Sequence, residues 1–365
     1  MRLLAPIAFL VAALLIALSA DHPRAPADFV LVQRADATTL DPQRMSWQQD
    51  FRIGRALYEG LATLDADGAT PQPGVAESWE ISSDRLTYTF HLRANARWSN
   101  GEPVTAEDFA YAWRRGILPE TAADYSGFLF HIRGAEEFFD WRNAKLTEYA
   151  ALPKAERNAV RCAALWKETL ERFRTTVGVR AKDARTLVVE LKHPVAYFLD
   201  LVAFPSLSPV HRASVEACVS FDPLTGRLVQ QHGWTKSGQL ISNGPYRMVD
   251  WRYRRDMFLE RNEHYWNAAS VRSKTVEVRI VEDANTTVLA AEAGACDWVT
   301  DTLAEYRPEM LAERLRYEAR YAKEIAAALA KGQRIDDAVA TLPEPEPGER
   351  RNVHGLRSFG TDFYS

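Results

Sequence analysis

The stretch "RWSNGEPVTAEDFAYAWRR", residues 97–115, writes a turn, a cap and an amphipathic helix in succession. Asn100-Gly101 is a turn signal, and Thr105 followed three residues later by Asp108 is an acidic variant of the reciprocal cap that satisfies orphan helix donors. Val104 precedes the cap and Phe109 sits where its hydrophobic partner belongs, while Trp113 lies four residues further along the same helical face. The spacing predicts a helix that starts after Thr105 and turns Phe109 and Trp113 into a core.

Upstream, "RLTYTFHLR" alternates. Leu86, Tyr88, Phe90 and Leu92 share one face, with Thr87, Thr89, His91 and Arg93 on the other, which predicts a half-buried strand. Nearer the N-terminus, Phe29–Val32 forms a short apolar strand closed by a turn at Asp41-Pro42, and Ile53, Leu57 and Leu61 follow at helical spacing.

Downstream, residues 119–174 read as charge-laced helix and "TLVVEL" as strand. Prolines in "HPVAYFLDLVAFPSLSPV" favour a loop-bounded helix over a core. "GPYRMVDW", "DMFLERN" and "TVEVRIV" read as strands, and "NTTVLAAEAG" as a helix. The whole is mixed α/β. Over 303–340 a helical stripe of Leu311, Leu315, Ala322, Ile325 and Leu329 is expected to pack on one side, with Arg314–Glu318 and Arg320–Glu324 pairing across turns. "PEPEPGERR" then reads as a stiff, extended linker.

A chain of 365 residues predicts two or three lobes. A net charge of -4 provides no broad basic field, which argues against nucleic acid as a partner. After Arg2, the apolar run "LLAPIAFLVAALLIALSA" ends in small residues and reads as a secretory signal over residues 1–20; an uncleaved anchor is the alternative. No cysteine follows the run to carry a lipid, so a soluble periplasmic protein is expected rather than a lipoprotein. Cys162, Cys218 and Cys296 match neither a zinc site nor a redox pair; one disulfide or buried free thiols both remain open.

The common catalytic signatures are absent: there is no phosphate loop, G-x-S-x-G elbow, H-E-x-x-H helix or C-x-x-C pair. The eight histidines never fall within four residues of one another, which excludes a local two-histidine metal site. Acidic clusters such as "AEEFFDW" and "RIVEDAN" could supply a hydrolytic pair across a cleft, but nothing singles out two carboxylates with separated pKa values. Ten Trp, thirteen Tyr and sixteen Phe form a heavy aromatic load. Most is assigned to packing, and a minority to a ligand cleft.

Taken in order, "TLDP", "ALYEGL", the continuous stretch 71–115, "FPSLSPV", "SNGPYRMVDW", "LERNEHYW" and "FGTDFY" resemble the family-5 extracellular solute-binding proteins of ABC importers, especially the oligopeptide binders. The resemblance runs from about residue 29 to the last residue. Asn100-Gly101 stands for the family's usual Asp-Gly, and Ala295-Cys296-Asp297-Trp298 for its "GEIDW".

The resemblance implies an α/β, type II periplasmic-binding-protein-like clamp of two lobes with an extra domain. It gives a signal peptide at 1–20, lobe I from 21–57 and 180–300, the extra domain from 58–179, a helical segment and Pro-rich linker at 301–350, and the start of lobe II at 351–365. Most of the second lobe is expected to be missing from this chain, including the carboxylate that would pair with a peptide's amino terminus. The family's ligand-contacting positions map onto Ser46, Gln48 and Tyr125, while the loops at Ser206 and Asn243-Gly244-Pro245 are expected to shape lobe I near the hinge. The implied function is capture of oligopeptides in the periplasm for uptake, without enzymatic activity, cofactor or metal. The implied partners are the peptide and the importer's membrane permease subunits, and the protein is expected to be a monomer. Alternatives are another cargo on the same fold (dipeptide, nickel chelate, haem or sugar), a truncated non-functional copy, and a secreted hydrolase.

Overall fold

Strand β1 (Phe29–Gln33) leads through a long loop into helix α1 (Gln48–Leu57) in the computed structural model, which describes residues 25–65, 70–300, 302–351 and 353. The expected signal segment at 1–20 lies outside the described residues, as does nearly all of 351–365. Helix α1 stops at Leu57, so Leu61, expected on its face, is buried from the extended segment beyond. A crossing strand of chain ends the helix. The Gly244 N–H donates to the Leu57 carbonyl at 2.8 Å, and a Cβ on Gly244 would lie 2.6 Å from the Leu57 carbonyl carbon, so only glycine passes there.

Two short strands, β2 (Ala62–Leu64) and β3 (Pro71–Pro73), pair antiparallel before the chain enters β4 (Ala76–Ile81) and β5 (Thr87–Leu92). Tyr88, Phe90 and Leu92 face inward on β5, as the alternation predicts. The turn after it places Gly101 at φ +88°, with its N–H donating to the Trp98 carbonyl at 2.8 Å. Helix α2 (Ala106–Ile117) then begins at the predicted place. The Asp108 carboxylate accepts from the Thr105 N–H at 2.8 Å and from its hydroxyl at 2.9 Å. Phe109 and Trp113 are fully buried, and the Trp113 indole donates to the Leu207 carbonyl at 2.8 Å.

Helices α3 (Ser126–Leu129), α4 (Ala135–Ala151) and α5 (Ala159–Thr176) follow, and then strands β6 (Val179–Asp183) and β7 (Thr186–Glu190). The four long strands form one antiparallel sheet in the order β4-β5-β7-β6, on which α2 packs. This moves the expected boundary at residue 179. Strands β6 and β7 hydrogen-bond into the sheet of β5, so residues 179–190 belong with the preceding segment rather than with the chain that follows.

After α6 (Phe198–Val202) and α7 (Arg212–Glu216), a hairpin of β8 (Val219–Asp222) and β9 (Arg227–Gln230) turns at Gly226, φ +71°. Strands β10 (Tyr246–Arg252), β11 (Asp256–Arg261) and β12 (Thr275–Ile280), helix α8 (Ala284–Glu292) and the two-residue β13 (Trp298–Val299) complete the second sheet, ordered β10-β11-β12-β1-β13. Strand β1 lies inside it, parallel to both neighbours. One apolar core runs through both sheets. The three cysteines are free thiols.

The last described region departs from expectation. Residues 303–340 break into α9 (Arg307–Arg320), α10 (Ala322–Leu329) and α11 (Ile335–Ala340), whose small core is Tyr317, Ile325 and Val339. Leu311 and Leu315, read as a packed stripe, are 53% and 56% exposed. The break after Tyr321 rotates the phase, so one straight-helix stripe does not carry across it. Arg314 pairs with Glu318 as expected, but Arg320 pairs with Glu346 and Glu349 instead of Glu324. Those partners come from the proline-rich segment, which folds back along α9 rather than extending: the Arg316 Nε donates to the Gly348 carbonyl at 2.8 Å and the Tyr317 hydroxyl to that of Pro343.

Candidate ligand-binding surface

Ligands of open α/β sheets gather beyond the carboxyl ends of the strands. The loop from Arg34 to Trp47 leaves β1 at that end, and three buried groups fix its path. Asp50 accepts from the Thr38 N–H at 2.7 Å and hydroxyl at 2.6 Å, and from the Ser46 N–H at 3.5 Å. Asp41 accepts from the Gln43 N–H at 3.3 Å and pairs with Arg115 at 2.7 Å. The Gln43 amide donates to the Ser206 and Ser208 carbonyls at 3.3 and 2.9 Å. Polar residues inside the fold therefore hold the loop, leaving its last residues to face outward.

Ser46 is half-buried at that tip, and its hydroxyl donates to Asp124. Beside Asp124, the half-buried Tyr125 ring meets Phe51 at 5.5 Å, Phe204 at 4.9 Å and Phe128 at 5.2 Å between centroids. The structure thus brings Ser46 and Tyr125 together through Asp124. Gln48 is exposed at the first position of α1 and makes no side-chain hydrogen bond among the described residues, so nothing ties it to that pair. Between them stands Trp47, 60% exposed, which the sequence reading passed over although a tryptophan flanked by two candidate ligand residues was a signal.

A second part of the surface was not read from sequence. One turn into α1, Arg52 donates from Nη1 to the Gln33 side chain at 3.1 Å, and its guanidinium stands 5.6 Å from the ring centre of Trp298 on β13. Burial, then the nearby Arg55, lowers the Arg52 pKa from its usual value. Trp298 is 44% exposed. A cation from α1 and an aromatic face at the start of β13 thus meet beside β1.

Below lies a buried carboxyl with a different task. Glu59 accepts from the Tyr265 hydroxyl at 2.5 Å and from the Trp266 indole at 2.6 Å, and Asn243 clamps its backbone at 3.2 and 2.9 Å. Burial pushes its pKa up to about 7 against these hydrogen bonds. Asn243 is buried with it, which gives the 243–245 loop the architectural role expected of it.

Among the described residues there is no cluster of three His, Cys, Asp or Glu side chains that could hold a metal ion. The model of the bacterial extracellular solute-binding proteins, family 5, matches residues 70–327. The chain belongs to this family. Family-5 proteins bind solutes and are not enzymes as a class. The periplasmic oligopeptide-binding protein OppA of Escherichia coli (strain K12) is 32% identical over 286 residues, which is 78% of this chain and 44% of that protein. The oligopeptide-binding protein OppA of Bacillus subtilis (strain 168) is 31% identical over 257 residues, 70% of this chain and 40% of that one. A solved structure of Burkholderia pseudomallei OppA superposes with a TM-score of 0.64 at 28% identity, covering 81% of this chain and 50% of the other. This family-5 chain therefore spans half or less of the length of these relatives.

Proposed function

We propose that the chain is the substrate-binding component of an ABC importer and captures oligopeptides in the periplasm. The observation that carries this reading is the β1–α1 loop, fixed from within by Asp41, Gln43 and Asp50, so that Ser46 and Trp47 face outward beside Tyr125. A loop held by the interior loses little freedom on binding, which favours affinity for a ligand that offers few side-chain contacts. Ser46, Gln48 and Tyr125 line the path of the peptide main chain, and the Arg52–Trp298 pair borders it. In this reading β1 and β10–β13 build lobe I, and the four-stranded sheet with its helices is the inserted domain. The implied partners are membrane permease subunits, met by a monomer.

The test is thermal unfolding of the purified chain with a mixed tri- to pentapeptide pool, read alongside tryptophan fluorescence. Peptide at ~100-fold excess over Kd adds about 2.7 kcal/mol of stability, well above detection. A melting shift that shrinks in Trp47→Phe supports the reading; no shift with any pool overturns peptides as the cargo. The aromatic wall of Phe51, Tyr125, Phe128 and Phe204 favours one second reading, an apolar non-peptide solute on the same surface. A shift with such solutes and none with peptides would select it.

A further inference from the structure

A separate cavity of about 210 Å³ opens between α2, α5 and the β8–β9 hairpin. Its walls are Tyr111 from α2, Leu118 just beyond that helix, Trp166 from α5, and Phe221 and Leu228 from the hairpin. Trp166 and Phe221 meet at 5.4 Å between ring centres, forming one continuous aromatic wall. None of these residues belongs to the 34–47 loop or to the cluster around Tyr125.

Arg114 lines the cavity as a half-buried cation with no direct side-chain partner among the described residues. Its Nε is sealed from solvent without a hydrogen-bond partner, and its guanidinium makes no hydrogen bond or ion pair among the described residues. Its ring neighbours are Tyr111 at 5.1 Å and Phe173 at 5.9 Å, and the Glu107, Glu216 and Arg212 charges lie within electrostatic reach of it. The other charged groups at this place each have at least one direct polar or charged partner. Arg115 is taken up by Asp41 and Gln230, each at 2.7 Å, while Arg212 and Glu216 at the rim neutralise each other at 2.9 Å. Burial lowers the Arg114 pKa, and the charges of Tyr111, Glu107 and Glu216 oppose that shift without offsetting it.

We propose that this cavity is an accessory site for a small aromatic carboxylate, with the ring against the aromatic wall and the carboxylate on the Arg114 guanidinium. A guanidinium grips a carboxylate with two parallel N–H donors, and a half-buried cation beside apolar walls gains from such a partner. The size fits, since a cavity of ~150 Å³ lined by apolar side chains already holds benzene. A phosphate fits worse, because it has no apolar body for these walls.

The test titrates the purified chain with 4-fluorophenylacetate and reads fluorine NMR line broadening and shift. Saturable binding is expected, weaker by about tenfold or more for the neutral 4-fluorophenylacetamide and for Arg114→Met, because each removes one side of a charge-assisted pair. Arg114→Met keeps the apolar stem and its fold is verified by circular dichroism, while the amide comparison uses the unaltered protein and stands even if the variant misfolds. Absence of saturable binding, equal binding of acid and amide, or full binding by a folded Arg114→Met overturns the site. None of these outcomes bears on peptide capture, which uses other residues.

Discussion

Asp41 and Arg115 meet at 2.7 Å with both side chains closed to solvent, joining the loop after β1 to the last turn of helix α2 across 74 positions of sequence. The pair couples the candidate binding surface to the core of the fold. Removing one member of a buried pair strands the other charge at a cost of about 3–5 kcal/mol. Asp41→Ala should therefore lower the urea-unfolding free energy by that amount at neutral pH. A loss below about 1 kcal/mol would mean that water reaches Arg115 and that the loop is less firmly held.

Glu59 should print a pH signature on stability. Its pKa rises from an ordinary 4.5 to about 7 on folding, so between those values the folded state holds a proton that the unfolded state has lost. The folded state then binds more protons, and stability falls as pH rises through that window. Below it both states are protonated, and above it both are ionised. Glu59→Gln should remove a decline on the order of 3 kcal/mol between pH 4.5 and 7, read as the difference between wild-type and variant urea curves. Parallel curves for the two proteins would show that Glu59 does not titrate there.

Scaffold and site should separate at two aromatic residues. Trp113 is fully buried with its indole bonded to Leu207, and Trp113→Ala should cost about 3–5 kcal/mol as a core truncation. Tyr125 shares its ring with three phenylalanines, so the informative change is Tyr125→Phe, which keeps the packing and deletes only the hydroxyl. That variant should melt within about 0.5 kcal/mol of wild type and bind peptide more weakly. Unchanged peptide affinity would remove the Tyr125 hydroxyl from the site.

The C-terminal helices invite a test of which face is buried. Leu311→Ser and Leu315→Ser should each stay within about 0.5 kcal/mol of wild type, because both leucines are more than half exposed. Tyr317→Ala should unfold the three-helix unit, visible as loss of helical circular dichroism. The reverse order would restore the single packed stripe.

Sequence was most informative where local rules and burial agree. The Thr105–Asp108 cap, the Phe109–Trp113 face and the alternation of Tyr88, Phe90 and Leu92 each rest on neighbours within a few residues, and each is present. The phase of residues 303–340 failed because a helix break leaves little trace in composition, and the stripe was continued across it. The proline-rich segment failed for another reason: its acidic residues find Arg320 at long range, which outweighs the stiffness its prolines suggest. At the candidate surface, motif resemblance pointed to Ser46 and Tyr125, which the structure places side by side through Asp124. Asp50, Asp124, Arg52 and Trp298 were not legible, because what they do depends on partners far away in sequence.

The central place of β1 in its sheet has a consequence for the order of events in time. Phe29 pairs with Val276 and Leu31 with Trp298, so the first strand made is the one whose two neighbours are made last. At a synthesis rate of about 5–20 residues per second, β1 waits roughly 12–50 s for its neighbours across about 250 residues. Throughout that interval the nascent chain lacks its five-stranded sheet, which closes only once residues about 250 positions apart can meet.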